Sequence, residues 1–311
     1  MNRFLHVLLC LLCTCLLSLH ATEAGASRSD HERRLIALGA PAVELVCALG
    51  LTESLVARSV WDTFPPAVQT LPAVGDPFQP DVERILSLEP DLILTDGRFG
   101  RMAERMKPLG LEVFPVEGYH PSEVIPAIKR LAKRLDCEQK GAELVAELEA
   151  LKGFVEGKLA GISSEERPSG IMLTDSRELF CVATESGNTF LEEAGAVNLA
   201  SGLGNPFPLL SREWLAVQKL DFILVPVKER MDAQREIQAL WKRLGMLLLP
   251  DCRVVTMEEG LTFGLRSFLG MLKLATELYP TRFEGKDFAE KKAAFMQAFF
   301  PGSVHGGQPC P

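Results

Sequence analysis

The chain is short of the side chains that catalysis and metal capture need. It holds five histidines in 311 residues. Outside the N-terminal leader only His120 falls within the body of the fold, with His31 in a polar arm and His305 in the tail. A zinc or manganese site built from several histidines is thereby excluded. Nucleotide and hydrolase signatures are missing too. There is no G-x-x-x-x-G-K-[ST] and no G-x-S-x-G, and Gly202-Leu203-Gly204 lacks the third glycine of a dinucleotide-binding turn. Basic charge is also in deficit. Lys and Arg number 33 against 41 Asp and Glu, a net charge of −8, which argues against nucleic acid as a partner. An anionic cargo would depend on a local patch of the opposite sign.

Cysteine gives no framework either. Beyond the leader there remain Cys47, Cys137, Cys181, Cys252 and Cys310, an odd set at irregular spacing. Buried thiols acting as small hydrophobes are the expectation. A Cys181–Cys252 bridge is the alternative in an oxidising compartment.

What is present begins with a secretory leader over 1–26: Arg3, an apolar run from Phe4 to Leu19, then Ala24-Gly25-Ala26 as a small-x-small cleavage site. The run is too short and wrongly flanked for a membrane span. Cys10, Cys13 and Cys15 do not follow the small-residue pair of a lipobox, so no lipid anchor is expected. Removing the leader takes away Arg3 and Glu23 and leaves the charge unchanged. The whole chain is 47% hydrophobic and 24% charged, which excludes wholesale disorder.

After a polar arm, apolar strand patterns alternate with helical ones, the mark of parallel sheets covered on both faces. Strands are expected at Leu35–Leu38, Leu92–Leu94, Val113–Val116, Gly170–Leu173, Phe180–Ala183, Phe222–Val227 and Arg253–Val255. Between the two halves, Glu138 to Leu159 keeps helical spacing without a proline, about 33 Å at 1.5 Å per residue. The fold class expected is α/β: two Rossmann-like lobes, with mostly parallel sheets, joined by one long α-helix. The lobes span 27–136 and 163–300, the connecting helix spans 137–162, and 301–311 is a Gly/Pro tail expected to be disordered.

The halves echo one another. Val82-Glu83-Arg84-Ile85 leads to Pro90-Asp91-Leu92-Ile93-Leu94, and Arg212-Glu213-Trp214-Leu215 leads to Leu220-Asp221-Phe222-Ile223-Leu224. Lys107-Pro108-Leu109-Gly110 parallels Lys242-Arg243-Leu244-Gly245, and Ala48-Leu49-Gly50 parallels Glu193-Ala194-Gly195. Ordered echoes at similar offsets imply two related lobes, and two lobes imply a cleft where a small ligand binds. In open α/β sheets ligands lie beyond the carboxyl ends of the strands. The candidates there are Trp61, Phe78, Arg98, Tyr119, Phe180 and Phe207, with Trp61 and Phe207 beside Pro-rich turns that hold their rings forward.

These stretches resemble the periplasmic substrate-binding proteins of the helical-backbone type, which serve ABC importers of vitamin B12, ferric siderophores and haem. The likeness covers residues 34 to about 280. Arg34-Leu35-Ile36-Ala37-Leu38-Gly39 is similar to the family's first strand, and Phe64-Pro65-Pro66 to its Tyr-Pro-Pro turn. Val74-Gly75-Asp76, Pro80-Asp81-Val82-Glu83 and Leu88 to Leu94 resemble its best-known stretch. In the second half, Glu193-Ala194-Gly195-Ala196-Val197-Asn198 and Pro208-Leu209-Leu210-Ser211-Arg212-Glu213 resemble its motifs.

The resemblance implies that Glu83 and Glu213 dock onto arginines of the permease. Helix capping is the alternative role for these carboxylates. It implies that Trp61, Phe207 and the Pro77-Phe78 region line the cleft. It implies a bound metal-chelate cargo (cobalamin, haem or ferric siderophore), no intrinsic cofactor, no catalysis, a periplasmic location and a monomer. If the cargo is haem, Tyr119 or His120 is the expected iron ligand. A secreted α/β enzyme, or a ligand sensor using the same cleft, is the reading from another class.

Overall fold

The computed structural model describes residues 33–99, 101–174, 179–183, 185–228, 233–244 and 252–302. The expected leader, the arm up to residue 32 and the tail beyond residue 302 lie outside the described residues. The compact unit that carries the site starts at Arg34.

Its first lobe runs β1 (Leu35–Leu38), α1 (Ala40–Ala48), β2 (Leu55–Arg58), α2 (Val82–Ser87), β3 (Leu92–Asp96), α3 (Arg101–Met106), β4 (Val113–Val116) and α4 (Pro121–Arg134). Helix α5 (Glu138–Leu159) follows. The second lobe runs β5 (Ser169–Met172), α6 (Glu185–Glu193), β6 (Val197–Asn198), α7 (Arg212–Val217), β7 (Phe222–Val227), α8 (Ala233–Leu244), β8 (Arg253–Glu258), α9 (Ser267–Leu278) and α10 (Asp287–Phe299). The sheet orders are β2-β1-β3-β4 and β6-β5-β7-β8, all parallel. The strand order of the second lobe repeats that of the first, as the sequence echoes imply, with the helix α10 added at its end.

The repeated aspartates account for part of that echo. Asp91 accepts the backbone N–H of Arg34 at 2.9 Å, and its own N–H donates to the Arg34 carbonyl. Asp221 does the same to Ser169, at 2.7 Å. Each aspartate thus clasps the residue at the entry of its lobe's first strand and sets the register of the third strand beside it. The repeated glycines, Gly50 and Gly195, have φ of 83° and 84° after α1 and α6. Glycine enters that left-handed region without the strain a Cβ would bring.

Alternation along the strands builds three apolar clusters. Leu35 and Ala37 of β1 face one cluster; Ile36 and Leu38 face another, private to the first lobe. In the second lobe Ile171, Ile223 and Val225 face a private cluster, while Met172, Phe222 and Leu224 join the main one. The main cluster therefore runs from the first lobe through α5 into the second. Helix α5 buries Leu144, Val145, Leu148, Leu151 and Val155 in it. Gly141 lets α5 approach α4: a Cβ there would lie 2.6 Å from that of Ala132.

One expectation is corrected: residues 180–183 join neither parallel sheet, and form antiparallel bridges with Leu173 and Leu209. Cys181 and Cys252 are, as expected, buried thiols, unbridged in the second lobe's private cluster, and burial pushes both up to about 11. Strand β2 went unread in the sequence, because Leu55-Val56-Ala57-Arg58 is brief and ends on a charge.

Candidate ligand cleft and docking surface

Loops at the carboxyl ends of strands from both lobes line a solvent-open cavity. After β4 come Tyr119, His120 and Pro121. Met172, Leu173 and Thr174 extend β5, Pro226 lies in β7, and Glu259, Thr262 and Phe263 follow β8. Val182 and Phe207 complete the lining. This is where an open α/β sheet leaves backbone groups and side chains available to a ligand.

The lobes meet at this cavity. The Tyr119 and Phe263 rings stack at 4.9 Å, and the Gly264 N–H donates to the Tyr119 carbonyl at 2.8 Å. The Arg98 guanidinium lies over the Tyr119 ring, 3.5 Å from its centroid, and is held there by Asp96. Asp96 is 1% exposed and takes Arg98 at 2.6 Å. Burial pushes the Tyr119 phenol above its ordinary value; the Arg98 charge opposes the rise and the Glu259 charge adds to it. His120 starts α4, its N–H donating to Glu123 Oε2 at 3.1 Å, while its Nδ1 is buried with no hydrogen-bond partner.

Phe207 is carried by a short ribbon. The N–H groups of Cys181 and Ala183 donate to the carbonyls of Pro208 and Pro206, and that of Leu210 to Leu179. Phe180 sits half-buried inside this ribbon, outside the cavity lining. Trp61 and Phe78 are also outside the lining. They pack edge to face at 5.6 Å on the first lobe and stay more than half exposed. Asp62 fixes their loop. Its Oδ2 accepts the N–H groups of Gly39 and Ser59, at 3.1 and 3.0 Å, and so ties the end of β1 to the end of β2.

Of the expected cleft residues, then, Tyr119, His120 and Phe207 come together, Arg98 backs Tyr119, and Trp61–Phe78 form a separate pair. Glu259, Thr262, Phe263 and Thr174 were not expected. The signal for the first three was available: Glu259-Gly260-Leu261-Thr262-Phe263 directly follows a strand.

Glu83 and Glu213 are each the second residue of their helix, α2 and α7, and both are exposed. The N-caps are other side chains. Asp81 accepts the Arg84 N–H and Ser211 the Trp214 N–H, each at 3.0 Å. The Glu213 carboxylate is held below the usual range, first by its own backbone N–H and then by Ser211. Neither glutamate lines the cavity.

A vitamin B12-binding protein of Yersinia pestis (strain Pestoides F) is 27% identical over 234 residues, 73% of this chain and 78% of the relative. In fold, the chain is similar to the periplasmic heme-binding protein HutB of Vibrio cholerae. The TM-score is 0.69 at 22% identity, covering 80% of this chain and 100% of the other. It is equally similar to a molybdate-bound periplasmic binding protein of Haemophilus influenzae. There the TM-score is 0.69 at 20% identity, covering 87% and 93%. Three different cargoes on one fold separate architecture from specificity. The sequence pattern of periplasmic binding proteins matches residues 35–243, more than half of the chain, and the chain belongs to that family.

Proposed function

We propose that this protein captures a metal-chelate nutrient between its lobes, outside the cytoplasm, and delivers it to the permease of an ABC importer. The observation that carries the reading is the cavity where Tyr119, Phe263 and Phe207 converge from two duplicated lobes. Flat apolar faces with a few polar groups suit a large, planar, partly polar cargo. The B12-binding relatives favour cobalamin. The heme-binding proteins of like fold keep haem as the second cargo, with Tyr119 or His120 as the iron ligand in that case. Trp61 and Phe78, a ring pair on loops after β2 outside this lining, are assigned to the cargo as well.

Glu83 and Glu213, at equivalent places on equivalent lobes, are the permease contacts. Two exposed carboxylates without ion-pair partners among the described residues suit a basic docking surface. The protein works as a monomer and needs no chemistry of its own.

The test is a titration of the purified protein with cyanocobalamin, haemin and a ferric siderophore, followed by absorption and tryptophan fluorescence. Saturable binding of at least one chelate is expected. Failure of all three overturns the reading.

A further inference from the structure

A buried ion pair stands behind the second-lobe wall of the cavity and ties that wall to the first lobe. Arg266 is the N-cap of α9, just after Phe263, and is itself outside the cavity lining. Its guanidinium donates to Glu44 of α1 through Nε and Nη2, at 3.1 and 2.8 Å. The Phe64 ring covers it at 3.9 Å. The same group fills the space beside Gly260, where a Cβ would come within 2.7 Å of the guanidinium carbon. Phe64 belongs to the loop after β2 that also carries Trp61. Gly260 belongs to the segment after β8 whose Glu259, Thr262 and Phe263 line the cavity. One planar cation is thus the shared contact of a first-lobe helix, a first-lobe loop and the second-lobe wall.

That wall is pinned along its length. The Phe263–Tyr119 stack and the bond from the Gly264 N–H to the Tyr119 carbonyl hold its later part against the first lobe. The Thr262 N–H and hydroxyl both donate to the Glu259 carbonyl, which closes the turn on itself and gives it no bearing on the other lobe. For the earlier part, that bearing comes from Arg266 against Gly260.

Energetics separate the position this pair sets from the stability it gives. Taking both charges out of water costs about what their attraction returns, so apolar residues of like volume replace such a pair with little net change. What apolar side chains lack is direction. An arginine–carboxylate fork fixes the angle between two planes, and a guanidinium stacks flat on a ring. A methionine fills the same volume with three freely turning bonds.

We infer that Arg266 is a positioning residue for the cargo site: held by Glu44 and Phe64, its guanidinium sets the Glu259–Phe263 wall at a fixed place relative to the first lobe, ready before cargo arrives. It acts through Gly260 and touches no cargo itself. A wall ordered in advance loses less freedom on binding, and the saving appears as affinity. The inference rests on the reading of this cavity as the cargo site.

The experiment approaches one contact from two sides. Glu44→Leu with Arg266→Met removes the fork and keeps the volume. Gly260→Ala keeps both charges and drives a methyl group against the guanidinium. Each purified variant is compared with wild type in urea midpoint, in amide hydrogen exchange over residues 259–264, and in binding of cyanocobalamin and haemin. The pair variant is expected to keep a midpoint near wild type. Its exchange over 259–264 should quicken at least tenfold, and its affinity for whichever chelate wild type binds should fall at least tenfold. Gly260→Ala should move exchange and affinity in the same directions. Wild-type affinity in the pair variant overturns the inference and leaves the proposed function standing. Weakened affinity without faster exchange overturns it too, since Arg266 then meets the cargo directly. Should the pair variant not fold, Gly260→Ala decides by the same two readings. Loss of the fold in both assigns the contact to stability alone and overturns the positioning role. If neither chelate binds wild type, the proposed function falls, and the inference with it.

Discussion

The Arg266 guanidinium donates to the Glu44 carboxylate at 2.8 Å, between partners 222 residues apart and on different lobes. Both side chains are buried, at 8% and 1% exposure. The ring of Phe64 covers the guanidinium at 3.9 Å, and Phe64 in turn meets Phe300 edge to face at 5.0 Å. First-lobe and second-lobe residues alternate through this stack. Removing one partner strands a buried charge, at a cost of about 3–5 kcal/mol. Glu44→Ala and Arg266→Ala should each lower stability by that amount in urea unfolding, while the apolar pair Glu44→Leu with Arg266→Met should be close to neutral. Single-variant losses under about 1 kcal/mol would contradict the burial argument.

Little lobe closure is expected when cargo binds. The main apolar cluster is continuous through α5, and the Glu44–Arg266 pair and Lys152–Glu193 at 2.7 Å add polar ties. A long helix without proline bends little. Small-angle scattering with and without cargo should return the same radius of gyration; a clear contraction sinks this expectation.

Glu83→Ala with Glu213→Ala should leave cargo affinity nearly unchanged and impair transport. Both carboxylates are exposed and outside the cavity lining. Charged groups on a docking rim set association rate and register. Uptake equal to wild type, in cells lacking another binding protein for that cargo, would falsify the docking role.

Trp61→Ala and Phe207→Ala should each weaken cargo binding roughly tenfold. Stacking contributes on the order of 0.5–1.5 kcal/mol per ring beyond area burial. The Trp61 ring is held by Phe78, and Phe207 by its ribbon, so little ordering is needed on binding. A coloured chelate should also quench Trp61 fluorescence. Where haemin binds, Tyr119→Ala or His120→Ala should shift its Soret band. Unchanged affinity in both ring variants would remove Trp61 and Phe207 from the site.

Asp62 should make stability fall as pH rises. Burial raises its carboxyl above the ordinary 3.8, against the pull of bonds from Ser59 and Gly39. The native state therefore holds the proton over a range where the unfolded chain has lost it. Stability linked to this group is full below the ordinary value and declines as pH climbs through the raised one. Asp62→Asn keeps an acceptor for Gly39 and Ser59 and removes the titration. The variant should lose that component of the decline, seen in urea midpoints across pH 4–7. Identical pH profiles would reject Asp62 as its source.

Much of this fold is legible in the sequence. Strand and helix periods, the echo of Glu83 with Glu213, and the echo of Asp91 with Asp221 are local patterns, and local patterns survive in one dimension. The long helix from Glu138 was legible to the residue at both ends, since nothing between interrupts its spacing. The 180–183 segment was misread because a short apolar run looks alike in a parallel sheet and in an antiparallel ribbon. Trp61 and Phe78 could be named singly, but their edge-to-face pairing could not.

The duplicated α/β architecture and the loops that follow its strands are written in local stretches of chain, because both depend on residues near one another. Which of those loops meet is settled by folding. It set Phe263 on Tyr119, Arg98 over the same ring, and Arg266 against Glu44. It also decided which charges are paired, as Arg98 is with Asp96 and Arg266 with Glu44. The net charge of a site is a sum over partners brought together by folding, and no single stretch of chain contains that sum.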